Sequence, residues 1–206
     1  MKNFALIIMM LTTSLAANAK TWEFDVSMDG KSIGTHQFVL EQQENNQQLL
    51  KSNAKFNVKF LSITVFRYQH LADEIWESDC LRKLDARTEE NSKVTLVNGV
   101  QENQSFKVAA QKLTQIAAEC VMTFAYWNPK ILQQKKLLNP QTGDYLATTI
   151  SSLGKQTITV RGQPMTAEQY KIDTAKFKIN IWYNAEGDWV ALQSTTPDGR
   201  IDYALR

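Results

Sequence analysis

Period-two patterning runs through almost the whole chain, and no other feature restricts the fold so strongly. Trp22, Phe24, Val26 and Met28 alternate with Thr21, Glu23, Asp25 and Ser27. Successive side chains of a strand point to opposite faces, so this rhythm predicts a strand with one dry and one wet face. Asp29-Gly30 then supplies a hairpin turn. The return strand, over residues 33–42, places His36, Phe38 and Leu40 on one face. After a turn at Glu44-Asn45-Asn46, Ala54, Phe56, Val58 and Phe60 alternate with Lys55, Asn57 and Lys59. Residues 64–76 carry apolar side chains on both faces, which predicts a strand that is central or covered.

The same rhythm predicts strands over residues 81–88, 92–96 and 104–109, separated by turns at Glu89-Glu90-Asn91 and Asn98-Gly99. It interrupts once. Asn128 is a good N-cap, Pro129 suits a first helical position, and Lys135-Lys136 suit the negative end of a helix. With Asn139-Pro140 as the stop, a helix of about ten residues is expected from Pro129 to Leu138. Strands resume over 145–151, 156–160, 167–172, 177–183, 189–195 and 201–205, with turns at Lys155, Gly162-Gln163-Pro164, Asn184 to Gly187 and Pro197-Asp198-Gly199. The expected fold is therefore mainly β: a large antiparallel meander curled into a barrel or half-barrel, with one short helix.

The first nineteen residues stand outside this pattern. Met1-Lys2-Asn3 is a positively charged start, residues 4–15 are apolar, and Ala17-Asn18-Ala19 is a small-x-small site. This predicts a secretory signal cleaved between Ala19 and Lys20. The apolar run is shorter than the roughly twenty residues that span a bilayer. Lys20 also stands where a lipoprotein would carry an acylated cysteine. Export to the periplasm with no stable membrane anchor is expected, with residues 20–206 forming a single β-rich domain. Lys2 is the only charged side chain of the leader, so its removal lowers the formal net charge of +2 by one. A near-neutral chain without a basic block lacks the footprint of a nucleic-acid binder. In an oxidising compartment, the two cysteines, Cys80 and Cys120, are expected to form a disulfide. The sequence carries no signal of oligomeric state.

Catalytic candidates are few. There is no H-E-x-x-H, no Gly-rich phosphate loop and no C-x-x-C. Two histidines in the whole chain exclude an all-histidine zinc site, and no metal or cofactor is expected. His36 and His70 sit on aromatic-bearing strand faces, where they read either as an acid/base pair or as hydrogen-bonded core residues. Within Phe66-Arg67-Tyr68-Gln69-His70, alternation puts Arg67 opposite Phe66, Tyr68 and His70. If both faces are covered, Arg67 needs Asp73, Glu74 or Asp25 as a carboxylate partner. Otherwise it could hold the anionic head group of a lipid. The block Cys120-Val121-Met122-Thr123-Phe124-Ala125-Tyr126-Trp127-Asn128-Pro129 reads either as a plug at one end of the barrel or as a lid with Met122 and Phe124 as adaptable contacts. The Asn103-Gln104-Ser105 glycosylation pattern is too frequent by chance to carry weight.

The blocks Trp22-Glu23-Phe24-Asp25-Val26, Asp29-Gly30, Ile33-Gly34-Thr35-His36, Phe66 to His70, Cys120 to Pro129 and Leu138-Asn139-Pro140-Gln141-Thr142-Gly143 together resemble a family of small exported bacterial proteins classed as a domain of unknown function. Phe124-Ala125-Tyr126-Trp127-Asn128-Pro129 is the most specific of them. The resemblance implies export and one β-rich domain, and brings no catalytic residue with it. At fold level, a curled antiparallel sheet with a helix is similar to the periplasmic lipoprotein-carrier architecture. The leading expectation is a soluble periplasmic protein that binds a lipophilic or amphipathic ligand in the concavity of the sheet. Its expected lining is Phe38, Phe56, Phe66, Tyr68, Phe124, Tyr126 and Trp127, with Arg67 or His70 as polar anchor. The alternatives are a small envelope enzyme using His36 and His70, and a non-catalytic structural module with a filled interior.

Overall fold

The computed structural model describes residues 19–206 apart from 61–62, 112, 118–119 and 197–198. All of the expected leader but Ala19, and Pro197 and Asp198 of the expected turn, fall outside the described residues. Among the described residues there are fifteen strands: β1 (Ala19–Met28), β2 (Lys31–Gln42), β3 (Gln47–Phe60), β4 (Ile63–Glu77), β5 (Cys80–Glu90), β6 (Lys93–Glu102), β7 (Ser105–Ala109), β8 (Leu113–Ala117), β9 (Lys136–Leu138), β10 (Tyr145–Ala147), β11 (Thr149–Val160), β12 (Gln163–Asp173), β13 (Lys178–Tyr183), β14 (Trp189–Thr196) and β15 (Gly199–Leu205). Thirteen of them form one antiparallel sheet in the order β11-β12-β13-β14-β15-β1-β2-β3-β4-β5-β6-β7-β8, and β9 and β10 pair separately. The last strand thus docks beside the first, joining two meanders into one sheet.

That sheet is curled. In a flat sheet β14 and β2 would lie about 14 Å apart, three strand spacings. The rings of Phe38 on β2 and Trp189 on β14 instead meet edge to face at 5.1 Å between centroids. Phe56 on β3 similarly reaches Tyr203 on β15 at 6.4 Å. The alternation read from the sequence chooses the concave face: Trp22, Phe24, Val26, Phe38, Leu40, Ala54 and Phe56 are all buried on it. The first turn takes the expected form, with Asp29 and Gly30 both at positive φ, as a tight two-residue hairpin requires.

Three local expectations differ from the structure. The helix expected over 129–138 is a five-residue 3-10 turn, Pro129–Gln133, followed by strand β9. Its start is as expected, with the Asn128 side chain accepting from the Lys130 amide at 3.0 Å. It stops early because residues 136–138 pair with β10 as strand β9, with Leu137 and Leu138 both fully buried. Leu138 instead donates to the Met122 carbonyl and accepts from the Phe124 amide, so the backbone is spent on sheet-like bonds. The turn expected at Asn98-Gly99 lies inside β6. Gly99 is needed there because a Cβ would sit 2.4 Å from Phe106 Cε1, and the chain reverses after Glu102, where Asn103 takes a positive φ. Lys155 lies inside β11, next to a register shift between Ser152 and Gly154, so residues 149–160 are one bulged strand, while residues 145–147 of the strand expected over 145–151 pair separately with β9.

Residues 64–76 are central in the sheet, between β3 and β5. Their outer face is open, with Ile63, Val65 and Leu71 exposed. The concave face divides into two zones. One is filled by Trp76, Leu81, Leu84, Phe106, Met122, Leu137 and Leu138, all essentially inaccessible. The other is hollow. Residues 120–128 cross the concave face between the zones and are anchored at both ends. Cys120 is disulfide-bonded to Cys80 at a Cα separation of 4.9 Å, and the Val121 carbonyl accepts from the Leu81 amide. At the far end the Tyr183 hydroxyl donates to the Tyr126 carbonyl at 2.7 Å.

Candidate functional site

The hollow zone is a cavity of about 630 Å³, lined from one side by β2, β3 and β4 and from the other by β13, β14 and β15. Its origin is a patch of small side chains at the centre of the concave face. Strand register aligns His36, Ala54, His70 and Thr88 in one row, and Phe38, Ser52, Ala72 and Ala86 in the next. Where large residues would fill the concavity, Ala54, Ser52 and Ala72 leave a floor without bulk. The walls are aromatic: Phe56 stacks on Tyr68 at 5.2 Å, and Trp189 packs against Tyr126 at 5.2 Å. Exposed Glu90 and half-buried Met28 and Phe66 line the rim, which opens to solvent.

Tyr126 is placed by backbone strain. It sits at φ +57°, at the centre of a three-residue turn closed by the Trp127 amide on the Ala125 carbonyl at 2.7 Å. A left-handed aromatic residue costs on the order of 1–3 kcal/mol. The Tyr183 hydrogen bond and the packing on Trp189 offset this, and the ring is held over the cavity.

Polar groups in the walls are few and mostly paired. His36 Nε2 lies 2.8 Å from Ser52 Oγ and its Nδ1 lies 3.3 Å from the Tyr203 hydroxyl. His70 Nδ1 lies 2.9 Å from Thr88 Oγ1. Burial favours the neutral imidazole, pulling His36 well down and His70 to about 4. Burial likewise pushes the phenols of Tyr68, Tyr126 and Tyr203 up, so all three are neutral donors at physiological pH.

Glu74 is the unusual member. It lies where the cavity meets the filled zone, is 2% exposed, and lines the cavity. Trp76 Nε1 and the Thr123 hydroxyl both donate to the same oxygen, Oε2, at 3.0 Å. Among the described residues no hydrogen bond or ion pair reaches its other oxygen. Burial pushes the carboxyl up to about 7, against the smaller opposing pull of those two donors.

Of the residues expected from the sequence, Phe38, Phe56, Phe66, Tyr68, His70, Phe124 and Tyr126 line the cavity together, and His36 joins them. Two do not. Arg67 is exposed on the opposite face of β4, as its parity requires, and its backbone is tied to Asn91. It cannot serve as an anchor in the cavity, and with that face uncovered it needs no buried carboxylate. Trp127 points away and packs edge-on against Trp76 at 5.6 Å. Sequence reasoning missed Glu74, Tyr203 and Trp189 as lining. For Glu74 the signal was available, since it shares the parity of Phe66, Tyr68 and His70 along β4. Gly30-Lys31-Ser32-Ile33-Gly34 spells the G-x-S-x-G of a nucleophile elbow. It runs from a hairpin turn into β2, without the strand-to-helix turn that pattern needs.

The family described as a domain of unknown function, DUF6134, matches residues 24–206, and the chain belongs to it. Among curated proteins no sequence matches the chain. The crystal structure of a beta-barrel-like protein of domain of unknown function DUF1849 from Brucella abortus is similar in fold. It has a TM-score of 0.65 at 11% identity, covering 92% of this chain and 96% of that one. The fold is β-barrel-like.

Proposed function

We propose that this member of the DUF6134 family is an exported, periplasmic protein that takes a lipophilic or amphipathic ligand into the concavity of its curled sheet. The observation that carries this reading is the cavity itself. About 630 Å³ is left open between aromatic walls in a protein whose neighbouring zone is packed solid. Natural interiors are close-packed, and a hollow of this size falls within the range of small-molecule sites, about 300–1,000 Å³. The apolar floor and rings favour hydrocarbon, and the few paired polar groups set orientation more than affinity. Native mass spectrometry of protein recovered from its own cells without detergent tests the reading. The expected result is a bound lipophile released by solvent extraction, and a tenfold or greater loss of affinity for phenylnaphthylamine in Ala54→Phe. Protein that carries no ligand and does not bind the dye overturns it.

A second reading, a small envelope enzyme, draws on one observation: both imidazoles line the cavity and His36 lies 3.3 Å from the Tyr203 hydroxyl. It predicts that His36→Gln and His70→Gln proteins retain a ligand chemically different from that of the parent. Identical extracted ligands in all three proteins exclude it.

A further inference from the structure

The charges that line the cavity are of one sign, while Lys31 and Lys59 lie outside it, in an adjoining depression that shares Met28, Ile33 and Val58 with its rim. Among the described residues that line the cavity, none is a lysine or an arginine, and the two charged side chains are Glu74 and Glu90. Glu90 is at the exposed rim, opposite Tyr68 in the strand register, and Glu74 is six residues further along β4. At about 3.3 Å per residue the two carboxylates mark the mouth and the base of a trough roughly 20 Å long. The rings of Phe56, Tyr68, Tyr126 and Trp189 line the same cavity, and aromatic rings tolerate a nearby cation through the ring quadrupole.

Resting on the reading of the cavity as a ligand site, we propose that it selects lipophilic amines over lipophilic acids, with Glu74 receiving the ammonium group at the base of the trough. The geometry at Glu74 carries the proposal. Both donors converge on Oε2, and the remaining oxygen belongs to a buried group facing the cavity with no donor among the described residues. An ammonium N–H supplies that missing donor and the missing counter-charge together, while the alkyl chain runs back along the aromatic walls toward the rim. A carboxylate or phosphate head would meet carboxylates at both ends of the trough, with neutral imidazoles between them and no cation to pair with. Burial pushes Glu74 up to about 7, so the test is set above that value, where the carboxylate is ionised.

Dodecylammonium, dodecanol and dodecanoate, each below its micelle concentration, are titrated calorimetrically into the refolded protein at about one pH unit above the Glu74 value, and again into Glu74→Gln. The expected order is ammonium tighter than alcohol by at least tenfold, and alcohol tighter than carboxylate. Glu74→Gln brings the ammonium to the alcohol's affinity and leaves dodecanol within twofold, which also shows that the variant is folded with its cavity intact. Equal binding of the three heads, or a preference unchanged by Glu74→Gln, overturns the head-group assignment and leaves the cavity reading standing. Failure of all three to bind the parent protein overturns both.

Discussion

Replacing Glu74 by Gln separates a desolvated carboxyl from an ordinary one. Gln keeps an oxygen for the Trp76 and Thr123 donors and never ionises, so it mimics the protonated acid. In the unfolded chain the carboxyl loses its proton near 4.5, whereas the folded protein holds it to about 7. Between those values the folded state binds one more proton than the unfolded state, so stability falls as pH rises. The whole window corresponds to about 3 kcal/mol, most of which lies between roughly pH 5 and pH 8. His36 and His70 act with the opposite sign. Burial lowers both, so they withdraw stability as pH falls from 6.5 through about 4 for His70. They are common to both proteins and cancel in the difference. Urea unfolding of parent and Glu74→Gln at the two pH values measures it. The variant gains on the parent by about 2–3 kcal/mol on going from the lower to the higher pH. An unchanged difference at the two pH values refutes the claim that Glu74 is a buried carboxyl without a counter-ion.

Other expectations follow from the same geometry. Replacing Cys80 and Cys120 by Ser opens a loop of sequence separation 40, and lowers urea stability by about 4 kcal/mol in the chain-entropy model; a loss below about 1 kcal/mol contradicts the bridge's role in anchoring residues 120–128. Gly34→Ala places a Cβ 1.9 Å from the Lys55 carbonyl oxygen, a backbone atom that cannot step aside. It destabilises by about 2–3 kcal/mol in thermal unfolding, and a neutral result contradicts the close approach of β2 and β3. Ala54→Leu grows into open space and changes stability by under about 1.5 kcal/mol while weakening phenylnaphthylamine binding at least tenfold; a larger stability loss without a change in binding contradicts the hollow floor. Mass spectrometry of protein recovered from the periplasm finds a chain beginning at Lys20, and a chain retaining Met1 contradicts the signal reading.

The alternation of residues was enough to place His36, Phe38, Phe56, Tyr68 and His70 on one face, because strand parity is local and needs no knowledge of partners. The same rule already put Arg67 on the other face, and its candidacy as an anchor failed for that reason. What alternation cannot convey is curvature. Trp189 and Tyr203 enter the site because the end of the chain docks beside its beginning and the sheet then folds over β2 and β3. Glu74 needed both links: parity turned it inward, but its donor Thr123 is 49 residues away on the segment that crosses the concave face. The helix expected over 129–138 shows the converse limit. Its N-cap signals were real, and tertiary hydrogen bonds, from the Leu138 amide to Met122 and from the Phe124 amide to Leu138, ended it after one short turn. Gly99 shows a glycine that reads as a turn and is in fact room for a neighbouring Phe106 ring.

A crystal structure with a terminally brominated dodecylammonium decides whether the cavity takes a lipophilic amine, since bromine is located by its own anomalous scattering. One alkyl chain is expected inside the cavity, above Ala54 and Ala72, with its ammonium on Glu74 and its bromine toward Phe66 at the rim. Bromine found only on the outer face, over Ile63, Val65 and Leu71, or an interior closed by its own side chains, contradicts it.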